Sequence, residues 1–390
     1  MSRVGTAASA VRASFARQPR PVAPPSRRQT GPSRHRRYND PMLLHGIFPP
    51  VTSPFYPDGR VYFKKLEANV AQYSKTPVAG MVVLGSTGEA ITLSDQEQQD
   101  VLQVAREVVA PHKVLIAGCG EESAIETLRR IEHATKLGYD VTLIRTPNYY
   151  RSQLAPLNQL TFFRTVADRS PLPVIIYNIP QCTGYDMPAE LVIELADHPN
   201  IIGIKESSGV VEKAKRIAEG TRHVQRSATV TEVFAAVTGR MQSESGSPNS
   251  ELVPVAALSG AAATAVQAPS KLKTRSKEVG FQVLVGAAQK LEPSLQAGAV
   301  GAILAFACPA PTACYEIYTA WKEGDHALAR EKQQRITAAA QRVAGEMGIP
   351  GVKYAMELNG YFGGPSRLPL LPLTADARAE VESLMANIRN

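Results

Sequence analysis

The strongest constraint on this chain is a repeating alternation that begins after Pro41. Short apolar runs at 46–52, 80–84, 114–117, 141–145, 174–177, 201–205, 281–285 and 299–304 are separated by other segments. Five of those segments, 61–74, 94–109, 123–137, 154–167 and 188–197, have helical period. Apolar runs of this length, bounded by turns and separated by helices, imply parallel strands covered on both faces. Eight such strands point to a closed α/β barrel, the (β/α)8 or TIM barrel, rather than an open doubly wound sheet. No Gly-x-Gly-x-x-Gly or Walker sequence follows the first run, which weighs against a nucleotide site. Ser94-Asp-Gln-Glu97 has the spacing of a capping box and marks one helix start.

Around this repeat the chain divides into three parts. Residues 1–40 form an Arg-rich leader, 41–309 the barrel, and 310–390 a helical extension whose first helix completes the barrel. Within the extension, helices are expected at 310–345, 350–359 and 374–388. Residues 223–279 interrupt the barrel with an Ala-, Ser-, Thr- and Val-rich insertion, read as low-complexity linker with some helix at 231–238. Either a surface insertion or the translation of an unspliced intron fits that composition.

Charge narrows the function. The chain carries 43 basic and 35 acidic residues, a net charge of +8, but nine arginines lie in 1–39 with no acid among them. That leaves 34 basic against 35 acidic residues in 40–390. The body therefore lacks a bulk basic excess for phosphate backbones, and nucleic-acid binding is not expected except through the leader. Arginine, serine and helical spacing of Val4, Ala8, Val11 and Phe15 in the leader suit a mitochondrial transit peptide, with a basic tail in a cytoplasmic protein as the alternative. No apolar run reaches membrane-spanning length. Four cysteines without a C-x-x-C pair and seven histidines without H-x-H or H-E-x-x-H spacing give no disulfide scaffold and no metal site.

A barrel carries its chemistry at the C-terminal ends of its strands. Lys205 closes Ile201-Ile-Gly-Ile-Lys205. An amine in a desolvated mouth is biased toward its neutral form, which attacks carbonyls and forms a Schiff base. Tyr177 closes the preceding run, about 4.8 Å away across one strand spacing, where a phenol can shuttle protons. Gly85-Ser-Thr-Gly-Glu89 follows the second run and offers close backbone approach with the hydroxyls of Ser86 and Thr87. Each feature alone is weak: a strand-end lysine reaches for solvent, a core tyrosine satisfies its hydroxyl, and many turns contain Gly and Ser. Their common placement at one rim is what makes them specific.

Together with Thr146-Pro-Asn-Tyr-Tyr150, Tyr177-Asn-Ile-Pro, Thr183-Gly184 and Gly203-Ile-Lys-Glu-Ser-Ser-Gly209, these residues resemble the dihydrodipicolinate synthase/N-acetylneuraminate lyase family of pyruvate-dependent class I aldolases. The resemblance spans about 44–222 and 280–372. It implies a Schiff base between Lys205 and pyruvate, proton relay through Tyr177, and carboxylate binding by Ser86 and Thr87, with Thr87 also in the relay. It further implies a tyrosine donated across a subunit interface, Tyr149 by ungapped counting or else Tyr150. A homo-oligomer, commonly a tetramer built from dimers, and no organic or metal cofactor are implied as well.

Synthases of the family usually carry an arginine where this chain has Cys182, which disfavours that branch. Met347-Gly-Ile-Pro-Gly-Val-Lys353, Gly360-Tyr-Phe-Gly-Gly-Pro-Ser-Arg-Leu-Pro369 and Gly46-Ile-Phe-Pro-Pro-Val-Thr52 resemble 4-hydroxy-2-oxoglutarate aldolases. On that reading the substrate is cleaved to pyruvate and glyoxylate, with Ser207 and Cys182 near the second carboxylate or the substrate hydroxyl. Aldolases of 2-keto-3-deoxy sugar acids and synthase-like lyases remain the alternatives within the family. A non-catalytic barrel that binds 2-oxo acids is the alternative of another class, motivated by the insertion.

Overall fold

A computed structural model describes residues 41–245 and 272–388. The leader and residues 246–271 of the insertion lie outside the described residues. Strands β1 (Gly46–Phe48), β2 (Gly80–Val83), β3 (Val114–Gly118), β4 (Val141–Arg145), β5 (Val174–Asn178) and β6 (Ile201–Glu206) arise from the first six apolar runs. β7 (Arg226–Thr231) and β8 (Thr274–Val279) follow, and then β9 (Gln282–Val285) and β10 (Gly301–Ile303). All but β7 and β8 join one parallel sheet in the order β2-β3-β4-β5-β6-β9-β10-β1. The ends meet through a parallel bridge between Pro50 and Val82, so the sheet closes. Ala79 N–H also donates to the Ile47 carbonyl at 2.9 Å across this seam. The architecture is a (β/α)8 barrel with helices added at the C-terminal side, as the alternation implies.

Alternate residues divide the core. Phe48, Val82, Ile116, Leu143, Ile175 and Ile303 fill the lumen, while Ile47, Met81, Leu115, Ile144 and Ile176 pack outward against helices. Each such side chain contributes on the order of 1.5–3 kcal/mol by leaving water. One strand breaks the alternation. Val174 pairs with Ile201 but Ile175 pairs with Gly203, so β6 carries one extra residue at Ile202. Ile202 belongs to the lumen cluster and Ile204 to the outer one. The bulge thereby shifts the phase of β6 before Lys205.

The insertion differs from the linker expected. β7 and β8 pair antiparallel from Arg226–Val279 to Thr231–Thr274, burying Ala228, Val230 and Val279 against Leu43. The period-2 burial and β-branched content are strand signals that composition alone obscures. No helix forms at 231–238; Val230 bridges Ala236 and helix begins only at Gly239–Ser245. Arg226 donates to the Ile201 and His198 carbonyls, and Arg240 to the Gly138 carbonyl and the Asp140 carboxylate. Every one of these partners precedes or opens a barrel strand. The described part of the insertion therefore covers the N-terminal floor and leaves the mouth free.

The expected helix over 310–345 is interrupted. Pro311–Lys322 ends at Glu323, Gly324 takes a left-handed φ of +84°, and Asp325 accepts from Leu328 N–H at 2.9 Å to start His326–Ala339. A π-helical stretch, Ala340–Glu346, leads to Gly348–Leu358, and Ala375–Met385 follows.

Candidate active site

Tyr177 and Lys205 are direct partners in the β5–β6 register. Tyr177 lies in the lumen cluster, and the bulge gives Lys205 the same facing. The Lys205 Nζ sits 4.0 Å from the Tyr177 ring centroid, with the two residues only 4% and 5% exposed. On the other side of β6, Gly203 lets the strand lie close to β9, since a Cβ there would overlap the Gln282 carbonyl. The neighbouring positions face the other way. Asn178 Nδ2 donates to both Glu206 carboxylate oxygens at 3.0 Å and to Asp186 Oδ1 at 2.7 Å. Lys213 also pairs with Asp186 and with Glu206, the latter at 3.2 Å. This paired polar network pins β5 to β6 directly behind the amine and the phenol.

Ser86 and Thr87 enter from the turn after β2. Ser86 Oγ stands 3.4 Å from Tyr177 Oη, and Thr87 is buried. Ser86–Gly88 forms one 3-10 turn, and Glu89 then takes a left-handed φ of 54°. Such a conformation costs a non-glycine residue about 1–2 kcal/mol and needs support. Lys353 of Gly348–Leu358 provides it: its Nζ contacts Glu89 Oε1 at 2.5 Å, with both side chains at most 1% exposed. The same ammonium donates to the Ser53 and Pro365 carbonyls at 2.9 Å each. Arg367 N–H donates to Glu89 Oε2 at 2.8 Å. Desolvation lowers the Lys353 pKa while Glu89 opposes that shift. Neither Glu89 nor Lys353 stands out in sequence as a functional pair, because 264 residues separate them.

The remaining candidates are less uniformly placed. Ser207 N–H donates to the Asn178 carbonyl at 2.9 Å, and its buried hydroxyl has no hydrogen-bond partner among the described residues. Cys182 is exposed on the short helix Pro180–Thr183. Desolvation raises its thiol pKa while the nearby charge of Lys205 lowers it. Tyr149 and Tyr150 are 79% and 63% exposed and stack edge to face at 5.2 Å. One chain alone therefore does not bring either to the Tyr177–Lys205 pair. Glu122 orients their loop by accepting from the Asn148 and Tyr149 amides and from Arg145. Sequence reasoning missed Arg151. Its guanidinium packs on Gly184, two residues after Cys182, where any Cβ would overlap it.

A cavity of about 290 Å³ opens at this rim, walled by Gly85, Ser86, Ile91, Arg145 and Tyr177 among others. Lys205 lies beside the cavity, behind the phenol, rather than on its wall. Among the described residues no cluster of His, Cys, Asp and Glu could hold a metal ion.

A model of the dihydrodipicolinate synthetase family matches residues 43–229 and 250–388. The 4-hydroxy-tetrahydrodipicolinate synthase of Methanosarcina barkeri is 30% identical over 85% of this chain and 94% of its own length. The enzyme of the same name from Methanothrix thermoacetophila is 28% identical over 89% and 97%. Among solved structures, dihydrodipicolinate synthase DapA-2 of Bacillus anthracis superposes with a TM-score of 0.71 at 22% identity, covering 90% of this chain and all of that one. YagE of Escherichia coli K12, solved in complex with pyruvate, gives 0.69 at 26% identity over 89% and 99%. The chain belongs to the dihydrodipicolinate synthetase family and is a class I, pyruvate-dependent lyase.

Proposed function

We propose that this lyase cleaves 4-hydroxy-2-oxoglutarate to pyruvate and glyoxylate through a Schiff base on Lys205. The observation that carries the chemistry is the buried Lys205–Tyr177 pair at 4.0 Å, with Ser86 Oγ 3.4 Å from the phenol oxygen. The neutral amine adds to the C2 carbonyl and expels water, giving an imine. Tyr177 takes the proton of the C4 hydroxyl while passing its own phenolic proton on through Ser86, the C3–C4 bond breaks, and its electron pair passes to the imine to form an enamine. Glyoxylate departs, C3 is reprotonated, and water releases pyruvate and the free lysine. Ser86 and Thr87 hold the pyruvoyl carboxylate. Exposed Tyr149 is available to a second copy of the chain, which supports an oligomer in which it completes the relay.

Cleavage of a dicarboxylate needs a second anion contact. Cys182 supplies no charge, whereas Arg151 reaches Gly184 in the same turn, and the Ser207 hydroxyl has no hydrogen-bond partner among the described residues. The Met347–Lys353 and Gly360–Pro369 sequences support the hydroxy-oxoglutarate acceptor. A second reading is condensation of pyruvate with aspartate semialdehyde, which the names of the curated relatives favour. A panel of 4-hydroxy-2-oxoglutarate, 2-keto-3-deoxy sugar acids, sialic acid, and pyruvate with aspartate semialdehyde separates these. The highest kcat/KM is expected for hydroxy-oxoglutarate; a higher value for any other member would refute that acceptor.

A further inference from the structure

A second cavity, about 300 Å³ in volume, lies at the opposite end of the barrel. It is bounded by the residues before β1, the β7–β8 hairpin and the helix Pro311–Lys322. Its wall contains His45, His112, Lys113, Lys277 and Lys322, and no carboxylate. Lys113 is already engaged, donating to the Thr76 and Val78 carbonyls at 2.6 and 2.8 Å. Lys277 and Lys322 both direct their charge at His45, and Lys322 also acts on Lys277. Like charges converging on one concave surface repel, and an anion seated between them relieves that repulsion. Tyr315 and Phe234 add flat apolar walls, and the Lys277 ammonium lies 5.9 Å from the Phe234 ring centroid.

We propose that this floor cavity is a binding site for a small, multiply charged anion, a phosphate or polycarboxylate compound, held by Lys277, Lys322 and His45. A separate consequence concerns pH. Burial, with Lys277 and Lys322 behind it, lowers the His45 pKa to about 4. Lys277 faces it from the hairpin and Lys322 from the helix; His112, Lys113, Tyr315 and Tyr318 complete the titratable wall. An anion between these groups raises the His45 pKa, so at fixed ligand charge its binding takes up a proton as pH falls toward 5. The site lies on the face opposite Lys205, so its occupant does not displace pyruvate.

The test uses the full chain, with inorganic phosphate in one arm and citrate in the other, at constant ionic strength. Calorimetry and the melting temperature report binding. Either anion should bind and raise the melting temperature, and the arm that does so identifies the ligand class. Lys277→Gln combined with Lys322→Gln should weaken binding by at least about tenfold. Thr319→Glu, which puts a carboxylate into the same wall, should weaken it independently. Saturating pyruvate should leave the affinity unchanged. No binding of either anion, or equal affinity in both variants and the parent, would overturn the proposal.

Discussion

Lys353→Met tests how the Ser86–Glu89 turn is held. Methionine keeps an apolar stem beside Phe55, whose ring centroid lies 4.5 Å from the lysine Nζ, but removes the charge. Glu89 then remains with its side chain wholly inaccessible, opposite no cation at Oε1, and the Ser53 and Pro365 carbonyls lose their donor. Breaking a buried ion pair by removing one partner costs about 3–5 kcal/mol. Against a folding stability of roughly 5–15 kcal/mol, that is a large fraction. Chemical denaturation of parent, Lys353→Met, Glu89→Gln and the double variant forms a cycle. The double variant should be more stable than the sum of the single losses implies, by at least about 1 kcal/mol. Because Glu89 is the left-handed corner two residues after Thr87, Lys353→Met should also raise KM for the 2-oxo acid. A Lys353→Met protein within about 1 kcal/mol of the parent would refute the buried-pair argument.

Further expectations concern the site, the floor and pH. Tyr177→Phe should lower kcat by about 10²- to 10⁴-fold, measured by pyruvate release, while leaving the amine able to trap pyruvate. Arg240→Met removes a side chain that is 5% exposed and paired with Asp140 at 2.8 Å. It should cost about 3–5 kcal/mol in denaturant and open residues 226–245 to proteolysis; an unchanged midpoint would contradict the floor-capping account. The His45 pKa is lowered from 6.5 to about 4, so between those values the unfolded chain binds a proton that the folded chain does not. Its effect is absent above about pH 6.5 and grows as pH falls toward 4, destabilising the fold by up to about 3 kcal/mol. His45→Gln should flatten that part of the stability profile, with no flattening as the contrary result.

Much of this architecture is written locally. Continuous apolar runs announce strands buried on two faces, and Ser94 with Glu97 forms the capping box that their spacing implies. Tyr177 and Lys205 could be placed at one rim from sequence because each stands one residue before the end of its strand. What the sequence obscures is set by long-range geometry. The bulge at Ile202 that aligns Lys205 with Tyr177 leaves no mark beyond an ordinary Ile-Ile-Gly. Arg151 against Gly184 and Lys353 against Glu89 depend on how distant loops close over the mouth. The hairpin was hidden for another reason: Arg226–Thr231 and Thr274–Val279 are polar on one face, and an intervening Ser- and Gly-rich stretch masks their alternation.

The most direct measurement is reductive trapping. The full chain is incubated with pyruvate and sodium borohydride, digested, and analysed by peptide mass spectrometry. Reduction of the imine should place a stable pyruvate-derived adduct on the peptide containing Lys205, with Lys205→Ala unlabelled though folded. An unmodified Lys205 in folded protein, or an adduct confined to another lysine such as Lys213 or Lys353, would contradict the Schiff-base account.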